Sequence, residues 1–150
     1  MNKSSDKIND NRDKLRLGKD EILRGYNSYS IVLKNSKIVK SELLKAYIFR
    51  NSKGKVSSDS PLFIKNLKVG FIIARKKIRK STFRNRLKRL LKESYRLSKE
   101  NTRFPDSGNI IIFTLSDSGY EYVLKNPKVK LPLVKSELMI LMNSINKYLD

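Results

Sequence analysis

Apolar residues in this chain come in short runs whose spacing changes from one run to the next. Between Leu43 and Phe49 they alternate, with Leu43, Lys45, Tyr47 and Phe49 on one side and Leu44, Ala46 and Ile48 on the other, which predicts a strand. Lys68 to Ala74 predicts a second long strand and Leu62-Phe63-Ile64 a short one before it; the Ser/Gly/Lys/Asp loop Asn51 to Pro61 reads as a turn back into an antiparallel neighbour. Four consecutive apolar residues, Ile110 to Phe113, make Asn109 to Leu115 a strand buried on both faces.

The helical period appears three times. Tyr29, Val32 and Leu33 share a face in a short helix through Asn35, with Asn27 and Ser28 as candidate N-caps. In residues 82–97, Phe83, Leu87, Leu90, Leu91 and Ser94 form a core-facing stripe. Pro132 suits a first helical turn, and Val134, Leu138, Leu141, Met142, Ile145 and Leu149 continue as a terminal helix. Ser116 to Leu131, with Gly119 and Pro127, predicts a loop; Leu15 to Tyr26 fits no single period. Residues 1–14 predict a polar disordered tail ahead of one domain over 15–150. The fold class is α/β (α+β), a two-layer sandwich of one small sheet with helices, in the order α-β-β-β-α-β-α.

Charge changes the picture at one place. Arg75 to Lys99 holds twelve Lys/Arg against one acid, Glu93, a net +11 of the chain's +20. Arg84, Lys88, Lys92, Arg96 and Arg89 sweep the side of the 82–97 helix away from the stripe, with Asn85 among them and Arg86 at its edge. Like charges four residues apart repel by a few tenths of a kcal/mol per pair, about 0.2 to 0.5. A face that accumulates this cost needs an external polyanion. A pI near 10.2 points to nucleic acid, because neutralising phosphates releases counterions.

The chain has no Cys and no His, so thiolate metal sites, disulfides and histidine acid–base chemistry are excluded. Its 14 acids are scattered, Asp20-Glu21 being the only adjacent pair, which argues against a two-metal nuclease site. No catalytic or metal-binding residue is expected in the protein. No apolar stretch approaches the length of a membrane span, and residues 1–13 lack a signal-peptide core, so the expected location is cytoplasmic. The residues alone predict an RNA-binding protein.

One stretch resembles a known family. Arg84-Asn85-Arg86 followed by Lys88-Arg89, then Lys92-Glu93-Ser94-Tyr95-Arg96, preceded by Val69-Gly70-Phe71 and Lys76-Lys77, is similar to the protein component of bacterial ribonuclease P, ungapped from about Leu67 to Arg96. Arg79 stands where that family usually has Gly, and Ser81 where it usually has Ala. Leu23 to Phe49 resembles the family's first helix and first strand, with Leu33 where a second aromatic is frequent.

The resemblance implies a left-handed crossover from the strand through the basic helix, against the usual right-handed rule. It implies an accessory subunit whose partners are the ribonuclease P RNA and precursor tRNA, with no protein partner required; the RNA, with Mg²⁺, hydrolyses the phosphodiester that releases the 5′ leader. By position, Lys76, Lys77, Arg84, Asn85, Arg86, Lys88, Arg89 and Lys92 are then the catalytic-RNA contacts, and Tyr29, Leu33 and Tyr47 line a cleft for the leader. The alternative is a ribosomal-type structural RNA-binding protein, which composition fits equally well.

Overall fold

The computed structural model describes residues 17, 21–23, 26–50, 67–99 and 109–149, with the backbone alone at 26–28. In chain order these form α1 (Tyr26–Asn35), β1 (Lys37–Lys40), β2 (Leu44–Phe49), β3 (Lys68–Phe71), α2 (Ser81–Ser98), β4 (Ile110–Leu115), α3 (Asp117–Lys125) and α4 (Leu131–Leu149). The expected tail, the strand at 62–64 and the loop at 51–61 lie outside the described residues.

The strands make one sheet in the order β1-β2-β4-β3. β2 runs antiparallel to β1 and β4, and β3 runs parallel to β4. Every residue of β4 is buried, as its unbroken apolar run requires of a strand with neighbours on both edges and cover on both faces.

Four expectations need correction. β2 and β3 are not antiparallel neighbours, because the most apolar strand, β4, takes the position between them. The strand Lys37–Lys40 was not anticipated: only Ile38 and Val39 mark it, and it follows the first helix after a single residue. α1 begins at Tyr26, so Asn27 and Ser28 fall inside the first turn rather than capping it. Finally, 117–125 is a helix. Ser116 caps it by accepting from Gly119 N–H at 3.0 Å, and Gly119 marks a close approach rather than a break, since a Cβ there would stand 1.9 Å from the Leu43 carbonyl oxygen.

Side chains on the two faces of the sheet build two cores. Leu44, Ala46, Ile48, Val69, Phe71, Ile111, Phe113 and Leu115 pack against α2, α3 and α4. Phe49, Ile110 and Ile112 pack with Leu23 against Val32 of α1. The six predicted apolar positions of α4 are all buried. On α2, Leu87, Leu91 and Ser94 are buried while Phe83 and Leu90 are partly so, and Tyr95 joins the stripe, its ring centroid 5.9 Å from Phe71 and 5.7 Å from Phe113.

The β3–α2–β4 crossover is left-handed, and the handedness follows from L-chirality. Viewed from the α1 side with β3 running upward, Ile72 points its side chain at the viewer, so its N–H points right, and it donates to Phe113 O at 3.0 Å. β4 therefore lies to the right while α2 packs on the far face. The basic helix is thus on the opposite side of the sheet from α1.

Candidate nucleic-acid interface

α2 exposes what its apolar stripe leaves over. Asn85, Arg89 and Lys92 are exposed and Lys88 is half-exposed; among the described residues none of these three cations forms an ion pair. The one acid of the helix, Glu93, is taken by Arg96, whose Nε donates to it at 3.0 Å, and that hydrogen bond holds the Glu93 carboxyl below its ordinary range. The net field of this face is therefore positive and unshared.

The turn ahead of α2 is fixed by its own backbone. Ala74 O accepts from Lys77 N–H at 3.1 Å and Ile78 N–H at 3.0 Å, and Ile78 is buried in the core. Ala74 N–H donates to the Tyr120 hydroxyl at 2.9 Å, which also bonds the Thr114 hydroxyl at 3.0 Å. With Ile78 anchored, Arg75, Lys76, Lys77, Arg79 and Lys80 are left exposed around the turn.

Two of the arginines expected to face RNA are partly engaged by the chain itself. Arg84 donates to Ile78 O at 2.8 Å and Arg79 O at 2.6 Å, clamping the turn to the helix. Arg86 reaches Pro127 O and Val129 O, both at 2.6 Å. Each guanidinium has five N–H donors, so each retains donors for an anion. The sequence showed where these arginines lie on the helix; their carbonyl partners, supplied by folding, were not visible in it.

The second surface lies on the other face of the sheet. Register pairs Ile38 with Tyr47 and Lys40 with Lys45 across β1 and β2, and Tyr47 with Ile112 across β2 and β4. Tyr29, Leu33 and Tyr47 all border the same small core beneath α1, so the three expected cleft residues come together. They differ in role. The Tyr29 hydroxyl donates to Leu23 O at 3.1 Å, its ring lies over Gly70, and burial pushes its phenol pKa up, partly offset by the Phe71 backbone. Tyr29 is thus a fixed wall. Tyr47 is half-exposed, with the Lys45 ammonium 5.1 Å from its ring centroid, and Ile38 beside it is 52 % exposed.

Lys40 and Lys45 face each other directly, an arrangement that destabilises a strand pair, and among the described residues neither forms an ion pair. Together with the half-exposed ring they make a shallow cationic and aromatic surface suited to a single-stranded polyanion. Lys40 and Ile38 escaped the sequence reading because β1 did; the adjacent β-branched pair Ile38-Val39 was the available signal. Among the described residues no group of three His, Cys, Asp or Glu could hold a metal ion, and no helix is long and apolar enough to cross a membrane.

Comparison with known proteins adds a family and a fold. The family described as Ribonuclease P matches residues 17–125. The ribonuclease P protein component of Chlorobium phaeobacteroides is 33% identical over 103 residues, a match covering 69% of this chain and 60% of that protein's length. The fold is similar to that of the ribonuclease P protein from Thermotoga maritima (TM-score 0.59, 22% identity, 82% of this chain and 96% of that one) and from Staphylococcus aureus (TM-score 0.58, 14% identity, 87% and 98%).

Proposed function

This chain belongs to the ribonuclease P protein family, and from that premise we propose that it is the protein subunit of a ribonuclease P that binds the RNA subunit through α2 and its basic turn and the 5′ leader of precursor tRNA through the open sheet face. The observation that carries the reading is the unshared positive face of α2, where Lys88, Arg89 and Lys92 have no acidic partner among the described residues. Lys76 and Lys77 extend that face along the turn, Arg84 and Arg86 offer it their remaining donors, and Asn85 adds an amide. Forked guanidiniums and point-charge ammoniums fix a phosphate backbone without reading sequence.

Tyr47 offers a ring on which any base can stack, Lys45 and Lys40 offer cations for the backbone, and Tyr29 and Leu33 wall the cleft. As membership of the family implies, phosphodiester hydrolysis falls to the RNA subunit with Mg²⁺, and the protein contributes binding and orientation in the cytoplasm.

Equilibrium binding to a bacterial ribonuclease P RNA tests the central contact. Wild type should show a log–log salt slope of several units, about 0.7 to 0.9 per neutralised phosphate. Lys88→Ala/Arg89→Ala/Lys92→Ala should lose most of that affinity and flatten the slope. Its melting temperature should be unchanged or slightly higher, since alanine is the best helix former and like-charge repulsion is relieved. Equal affinity for variant and wild type would remove α2 from the interface.

A further inference from the structure

Lys125-Asn126-Pro127-Lys128-Val129-Lys130 joins α3 to α4, carries three lysines and no acid, and is held with unusual thoroughness for a connecting loop. Val129 is buried in the main core. Asn126 N–H and its side-chain amide both donate to Tyr122 O, at 2.8 and 3.0 Å, and Val129 N–H donates to Asn126 O at 3.1 Å. Arg86 then binds the carbonyls on either side of Lys128, at Pro127 and Val129. Lys128 itself is exposed. Its backbone is fixed from both sides while its ammonium is directed outward.

The loop and the start of α2 enclose a groove lined by Lys80, Thr82, Phe83, Arg86, Pro127 and Lys128. Cations stand on both of its walls and no acid lines it. A neighbouring groove, lined by Arg86, Arg89, Leu90, Lys92, Glu93 and Leu131, shares Arg86 with it. The basic strip of α2 therefore continues without a break through Arg86 to Lys128 and Lys80. The carboxyl in the second groove, Glu93, is already neutralised by Arg96.

We infer that the α3–α4 loop is a second wall of the RNA-binding surface: a phosphate of the RNA subunit's backbone occupies the groove between α2 and the loop, contacted by Lys128 from one side and by Lys80 and the free donors of Arg86 from the other. This rests on the proposed binding of the RNA subunit by α2 and adds residues that lie far from the basic helix in sequence. Arg86 then has two functions, fixing the loop through carbonyls and facing the anion, which a lysine could not combine because only a guanidinium forks.

The test uses the full chain and a bacterial ribonuclease P RNA, comparing wild type, Lys128→Glu and Lys88→Ala/Arg89→Ala/Lys92→Ala across a salt series. Lys128→Glu should weaken binding roughly tenfold or more and lower the log–log salt slope by about 1, the signature of one lost phosphate contact. Its melting temperature should stay at the wild-type value, because the side chain is exposed. In a parallel footprint with a lysine-acylating reagent, the RNA should protect Lys128 and leave Lys34 on α1, in the opposite layer, reactive.

If Lys128→Glu binds as wild type does while the α2 variant fails, the loop is outside the interface and the inference is overturned with the α2 reading intact. If neither variant changes binding, the α2 reading itself fails and takes the inference with it.

Discussion

Tyr47 sits where three facts meet: it pairs with Ile38 across β1, with Ile112 across β4, and carries the Lys45 ammonium over its ring. A tyrosine serving only as core would have its ring enclosed, whereas this one is half-exposed beside an exposed isoleucine. Tyr47→Ala should leave binding of the RNA subunit intact and weaken precursor tRNA binding by the holoenzyme by about 1 to 3 kcal/mol, the range for one base–aromatic stack. The loss should vanish with leaderless tRNA. A stability loss of about 3 to 5 kcal/mol, typical of truncating a core aromatic, with equal weakening for both substrates, would reassign Tyr47 to packing.

Tyr29 and Tyr47 looked alike in the sequence. Folding separates them, because the Tyr29 hydroxyl is tied to Leu23 and its ring occupies the space above Gly70, where a Cβ would stand 2.6 Å from the hydroxyl oxygen.

At the scale of elements, the legible parts were those whose period repeats. The six buried positions of α4, the double-sided burial of β4 and the split of β2 into two faces all follow from spacing. What the spacing could not carry were partners. β1 depends on pairing with β2 for its existence, and α3 was hidden behind a glycine whose reason is the Leu43 carbonyl, far away in sequence.

The same limit applies to the basic turn, whose lysines were visible while its anchor, Tyr120 on the unexpected helix, was not. Tyr120→Phe removes the hydroxyl that accepts from Ala74 N–H and bonds Thr114. Urea unfolding should show a stability loss of about 1 to 3 kcal/mol, the cost of leaving such groups unsatisfied. RNA affinity should fall modestly as the Lys76-Lys77 turn loosens, and unchanged stability and affinity would show that the turn holds its shape without Tyr120.

Over the whole molecule, the sheet separates two cationic surfaces. The left-handed β3–α2–β4 unit puts the densest charge on one layer, and α1 with the Lys40–Lys45 pair borders the other. A chain of +20 with cations on both faces of the sheet offers polyanions two separate surfaces, as the proposed function requires.

The most direct measurement is cleavage of precursor tRNA by a bacterial ribonuclease P RNA at a Mg²⁺ concentration too low for the RNA alone. Added wild-type protein should restore release of the 5′ leader, and the Lys88→Ala/Arg89→Ala/Lys92→Ala variant at the same concentration should not. Tight binding of the wild-type protein to that RNA with no cleavage restored would contradict the account and leave a structural RNA-binding protein in its place.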